Sequence, residues 1–149
     1  LKTGTLTALA LRLGGLLLGQ TDEENEQITE LGEGLGIALQ MFDDLSGIIN
    51  PSRRDKGLED VRAARPTWPW AWLAERLDPL QFARLQAQLR AHGTTDAPAS
   101  LVRLAEQLND VQFLIFQQLD DTLSTFREGN ARGEQQLNGF VERLKTSYV

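Results

Sequence analysis

The residues with the most evident chemistry are Asp43 and Asp44, adjacent carboxylates inside LQMFDDLSGI (Leu39–Ile48), a segment that otherwise has an apolar, helical pattern. Neighbouring like charges repel, and burial raises their pKa unless a cation is present. Oxygen-rich carboxylate sites suit Mg²⁺, which keeps several waters and is commonly shared with substrate phosphates. A solvated pair near a helix end has the same spacing, and QLDDTL (Gln118–Leu123) contains a second such pair. Arg53, Arg54, Lys56, Arg62 and Arg65 follow the first pair closely. Cations are favoured beside a helix C-terminus in any case. The functional reading is that Mg²⁺ on the carboxylates and cations of the loop together hold a diphosphate, whose charge is too large to bury without both. Lys2 and Thr3, at the opposite end of a neighbouring helix, add a cation and a hydroxyl.

The elements that must position these groups all read as helices, because apolar residues recur at helical spacing and no useful alternating run appears. A first helix is expected from Lys2 to about Leu18, ending at Gly19. The acidic cluster TDEENEQ (Thr21–Gln27) suits the N-terminus of a second helix, where carboxylates meet the positive end of the macrodipole. That helix runs to about Ile49, a length of roughly 42 Å at 1.5 Å per residue. Pro51 stops it. Asn50–Pro69 reads as a polar, basic loop with short helical turns, and helix restarts near Trp70. At Asp78-Pro79 the aspartate can cap and the proline suits the first helical position, and that helix continues to about Arg90. His92–Ser100 reads as a connection, with the single histidine, His92, at a helix C-cap before Gly93. A long helix is expected from about Pro98 to Arg127, and a last one from about Asn130 to Ser147.

Gly14, Gly15 and Gly19 in the first helix and Gly32, Gly34 and Gly36 in the second each cost about 1 kcal/mol relative to alanine. They imply that the two helices pack very closely or leave room for something slender between them. Trp68, Trp70 and Trp72 read as core or interface anchors.

Composition bounds the rest. The 149 residues suit one domain, 1–149, and 41% hydrophobic with 24% charged residues is a globular balance. A net charge of −6 argues against nucleic acid as a partner. The absence of cysteine excludes disulfides and thiolate metal sites, and fits a cytoplasmic location. TLTALALRLGGLLLG (Thr5–Gly19) is shorter than the roughly 20 residues of a spanning helix and is interrupted by Arg12, so no transmembrane segment is expected. The sequence opens on Leu1-Lys2-Thr3 in what already reads as helix, so a piece of a longer chain is expected.

The ordered motifs KTG (Lys2–Gly4), LGEGLGIALQMFDD (Leu31–Asp44) and KGLEDVRAARPTWP (Lys56–Pro69) resemble the C-terminal half of trans-isoprenyl diphosphate synthases, the polyprenyl synthetase family. The resemblance covers residues 1 to about 75, and the remainder is compatible in helical pattern. It implies an all-α bundle of the isoprenoid synthase type around an apolar cavity, in a homodimer or heterodimer. The implied reaction is the Mg²⁺-dependent condensation of an allylic diphosphate with isopentenyl diphosphate. Lys2 matches a lysine that touches the allylic diphosphate, and Thr3 a threonine facing the developing cation. Gln40 matches the glutamine one turn before the second aspartate-rich motif, and is assigned with Lys2, Lys56 and Arg65 to the diphosphate. Asp43 and Asp44 match the first two aspartates of that motif and are the implied Mg²⁺ ligands.

Ionisation leaves negative charge on the departing diphosphate, so metal and cations there stabilise the transition state. In the same picture the glycines let a prenyl chain lie along helix backbone. Two positions depart from the family pattern. Gly47 stands where the motif usually ends in a third aspartate, and Arg65 where the family usually has a lysine. The first aspartate-rich motif, with two further Mg²⁺ ions, belongs to the other half, so this chain alone is expected to be inactive. An accessory, non-catalytic subunit of a heteromeric synthase is the alternative. A helical bundle that binds other proteins is the third reading. Product chain length is not fixed by these residues.

Overall fold

The computed structural model describes residues 2–63, 65–91, 108, 112–127, 138–143 and 146. Among the described residues every regular element is helical, as the all-α reading expects. In chain order they are α1 (Lys2–Leu17), α2 (Asp22–Ile49), a 3₁₀ turn (Pro51–Arg53), α3 (Arg54–Arg62), α4 (Trp68–Arg76), α5 (Pro79–Ala91) and α6 (Gln112–Arg127). Residues 138–143 are helical as well. Of the long helix expected from about Pro98 to Arg127, α6 accounts for Gln112–Arg127, and most of the part before it lies outside the described residues. His92, the connection around it and much of the last expected helix lie outside the described residues.

The helix ends follow from local chemistry. Gly19 adopts φ 71°, which closes α1. Its N–H donates to Leu16 O at 3.1 Å, and the N–H of Gln20 donates to Gly15 O at 3.1 Å. These two bonds satisfy carbonyls that the helix leaves open, and a side chain at Gly19 would be strained. At the start of α2, Thr21 and Glu24 cap each other. Glu24 Oε2 accepts from the Thr21 N–H at 2.8 Å, and Thr21 Oγ1 accepts from the Glu24 N–H at 3.3 Å. These bonds from Thr21 hold the exposed Glu24 carboxyl below its ordinary value. Asp78 caps α5 as expected, accepting from the N–H groups of Leu80 and Gln81 at 3.0 Å each.

The polar stretch read as a loop carries more helix than its pattern suggests. α3 occupies nine of its residues and packs against α5. α4 starts at Trp68, two residues earlier than expected, and also packs against α5.

Two compact units result: Leu1–Gln40 with Phe113–Val149, and Met41–Gln112. In the first, Ala8, Leu31, Leu35, Ala38, Ile115, Leu119, Leu123 and Val141 are buried. The seam between α1 and α2 is made by glycine. A Cβ on Gly36 would lie 2.6 Å from Gly4 Cα and 2.7 Å from Thr3 O. One on Gly32 would lie 2.7 Å from Ala8 Cα. Close packing, rather than room for a slender ligand, therefore accounts for these two glycines. Gly34 likewise faces the Thr122 side chain of α6, and only Gly14 and Gly19 among the six look onto open space. The opposite face of α1 exposes Leu6, Leu9, Leu13 and Leu16. No helix among the described residues is long and apolar enough to cross a membrane.

In the second unit the buried side chains include Phe42, Leu45 and Ile48 of α2 with Trp70 and Leu73 of α4. Trp70 meets the Phe82 ring edge to face with centroids 6.1 Å apart, so this tryptophan is the core anchor expected of it. Trp72 carries the Arg76 guanidinium 4.1 Å above its ring.

Candidate functional site

In the second unit the last turns of α2 present Asp43, Asp44 and Ser46. Pro51 ends that helix and the 3₁₀ turn reverses the chain. The basic residues that follow thereby return to the carboxylates. Asp43 Oδ1 accepts from Arg53 Nη2 at 2.5 Å, and Asp43 Oδ2 accepts from Lys56 Nζ at 2.7 Å. Arg53 Nη1 also donates to Ser46 Oγ at 2.5 Å, and Ser46 Oγ donates to the Asp43 carbonyl at 2.9 Å. Ser46 is 3% exposed, so the hydroxyl that holds Arg53 is itself fixed in the interior. Partial burial pushes the Asp43 carboxyl up. The hydrogen bonds and charges of Lys56 and Arg53 outweigh that and hold it below the ordinary aspartate value.

Asp44 does different work. Its Oδ2 accepts from the Trp68 N–H, the first of α4, at 2.8 Å. Thr67, the residue before α4, makes no side-chain cap of its own, and Pro69 has no N–H to satisfy. The carboxylate thus serves as the cap of α4 from another helix, where the macrodipole favours negative charge.

Arg65, assigned to the diphosphate with Lys56, has other partners. Its Nη1 donates to Asp60 Oδ1 at 2.6 Å and its Nη2 to Glu59 Oε1 at 3.2 Å. The structure therefore brings Lys56 to Asp43 and holds Arg65 on the acidic end of α3.

The first unit contains the remaining assigned residues. Thr3 Oγ1 donates to Gln40 Oε1 at 2.6 Å, joining the first turn of α1 to α2. The Thr3 carbonyl accepts from Thr7 Oγ1 at 2.9 Å. Lys2 is exposed.

Mg²⁺ at Asp43 and Asp44 fits this arrangement poorly. Both oxygens of Asp43 carry cations, Asp44 is committed to α4, and Gly47 supplies no third carboxylate. Among the described residues no group of three or more His, Cys, Asp or Glu side chains could hold a metal ion.

Sequence reasoning counted Arg53 among the loop cations without giving it a partner, and did not single out Ser46. The signal for Arg53 was the helix stop at Pro51, which obliges the next basic residues to turn back. For Ser46 there was none, since a serine inside a helix has many uses.

The Polyprenyl synthetase family model matches residues 1–108. A nonaprenyl diphosphate synthase of Mycobacterium tuberculosis is 38% identical over 98 residues, covering 64% of this chain and 29% of the relative. A geranylgeranyl diphosphate synthase of Methanosarcina mazei is 42% identical over 50 residues, covering 34% of this chain and 15% of the relative. The chain thus spans less than a third of the length of the curated relatives it matches. No solved structure matches it.

Proposed function

Because the chain belongs to the polyprenyl synthetase family, we propose that it is part of a prenyltransferase joining an allylic diphosphate to isopentenyl diphosphate. The observation that carries this reading is the pairing of Lys56 with Asp43 at 2.7 Å, the basic loop meeting the carboxylate motif. Loss of the diphosphate is the charge-separating step. Cations placed where that charge develops lower the barrier without reorganising. In this proposal Lys2, Gln40, Lys56 and Arg65 are the residues that the resemblance assigns to the diphosphate. The Thr3 carbonyl and hydroxyl face the allylic cation, with Gln40 orienting the hydroxyl through their hydrogen bond. The resemblance implies Mg²⁺ for the reaction, and Asp43 and Asp44 as they are paired do not fit it.

The test is prenyl transfer by the full-length protein with Mg²⁺, comparing wild type with Lys2→Ala and Lys56→Ala. Each variant is expected to lose about tenfold or more in kcat/KM, the usual scale for one charged hydrogen bond. Unchanged turnover in both would remove these lysines from the reaction. Gly47 favours the accessory-subunit reading. Under it the full-length protein alone turns over nothing and gains activity only with a partner synthase.

A further inference from the structure

We infer that the second unit holds phosphate oxygens directly on Arg53 and Lys56, and that Asp43 positions these two cations instead of ligating a metal. The inference rests on the prenyltransferase reading for the nature of the anion, a diphosphate. It departs from that reading's implied metal ligands.

The argument begins with two glycines. A Cβ on Gly57 would overlap the Gly47 carbonyl, and one on Gly47 would lie 3.3 Å from Gly57 Cα. At this point α2 and α3 touch backbone to backbone. A side chain at position 47 would ask α3 to give by a few tenths of an ångström, whereas one at position 57 could not be accommodated without separating the helices. Gly57 is thus the residue that permits the close approach of α3. Lys56 directly precedes Gly57, so the same contact sets Lys56 over Asp43.

Arg53 is fixed more firmly still. Its guanidinium is pinned at two points, to Asp43 Oδ1 and to the buried Ser46 hydroxyl. Arginine has five N–H donors and lysine three, so both cations keep donors for a further acceptor. Arg53 remains 32% exposed and Lys56 51% exposed, so an anion from solvent can reach them. Asp43 meets two cations, and its neighbour Asp44 is turned to a backbone N–H instead. The spare donors of the two cations attract a polyanion. A planar guanidinium held this way also suits two phosphate oxygens at once.

The experiment uses the full-length protein and inorganic pyrophosphate, titrated calorimetrically in EDTA and again in Mg²⁺. Wild type is expected to bind in EDTA. Arg53→Gln is expected to weaken that binding about tenfold or more, with Arg53→Lys between the two, because a charged hydrogen-bond fork is lost in stages. Mn²⁺ stoichiometry, read by electron paramagnetic resonance, is expected to be the same in wild type and Asp43→Asn.

Pyrophosphate binding that requires Mg²⁺, or one Mn²⁺ fewer in Asp43→Asn, overturns the inference. So does EDTA binding that is equal in wild type, Arg53→Gln and Arg53→Lys. If the protein still transfers prenyl groups in any of these cases, the prenyltransferase reading survives alone. If it neither turns over nor binds pyrophosphate under any condition, both fall.

Discussion

The glycine seam in the first unit and the carboxylate cluster in the second are held by opposite kinds of contact. Between α1 and α2, Gly4, Gly32 and Gly36 bring main chain against main chain, with no charge involved and no freedom to adjust. Around Asp43, the contacts are made by long side chains that remain about a third to a half exposed. Packing of the first kind fails abruptly when an atom is added and is indifferent to pH and salt. Ion pairing of the second kind weakens gradually as water and salt screen it. A seam suits a scaffold, whereas an adjustable cluster suits a site that must admit a ligand.

Gly36→Val gives the sharpest contrast and the largest effect. Its Cβ would fall on Gly4 Cα and the Thr3 carbonyl, so two helices must separate. The expected loss is about 3 kcal/mol of stability, at the upper end of overpacking costs. Denaturant midpoints of the variant and the wild type measure it. Gly14→Ala is the control within the same helix. Nothing lies within 4 Å of its Cβ, so helix propensity alone predicts a gain of about 1 kcal/mol. A tolerated valine at position 36 would mean the seam is not tight. The slender-ligand reading of the glycines would then reopen.

Asp44→Ala should come next. It strands the Trp68 N–H at the start of α4, which Thr67 does not cap. The expected cost is about 1–2 kcal/mol, the range for losing a capping carboxylate. Amide exchange at Trp68 should accelerate accordingly. Asp44→Asn keeps an acceptor oxygen and should cost less than half as much. A changed Mn²⁺ stoichiometry with no change in exchange would instead make Asp44 a metal ligand.

The sequence made the helix ends of both regions readable where single residues decide them. Pro51 stops α2, Gly19 closes α1, and Asp78-Pro79 starts α5, because each acts through its own backbone geometry or its own side chain. α3 was not readable. Its charged residues carry little apolar pattern, and it is held by packing on α5 and by the contact of Gly57 with Gly47. The partner of Asp44 was equally hidden, because it is a backbone N–H twenty-four positions away and any residue type has one. For Arg65, the sequence supplied a cation but not its direction. Local carboxylates at Glu59 and Asp60 took it before any distant group could. The adjacent aspartates therefore look alike in the sequence and differ only by what the fold places opposite each.

That difference gives the smallest and most diagnostic effect, the pH and salt dependence of the Asp43 pairs. Partial burial opposes ionisation there, but Lys56 and Arg53 outweigh it and hold the folded carboxyl below its unfolded value, which is about 3.9. A depressed folded pKa contributes stability that is fully present above the unfolded value. It is lost as pH falls through the folded one. Wild type should therefore exceed Asp43→Asn in denaturant midpoint at pH 7, and the gap should close as pH drops below about 4. Because the pairs are partly exposed, the gap should stay under about 1 kcal/mol and shrink further in molar salt. The Gly36→Val deficit should not respond to salt at all. A gap at Asp43 that widened on acidification would mean the carboxyl is protonated in the native state, and the two cations would then have nothing to hold them together.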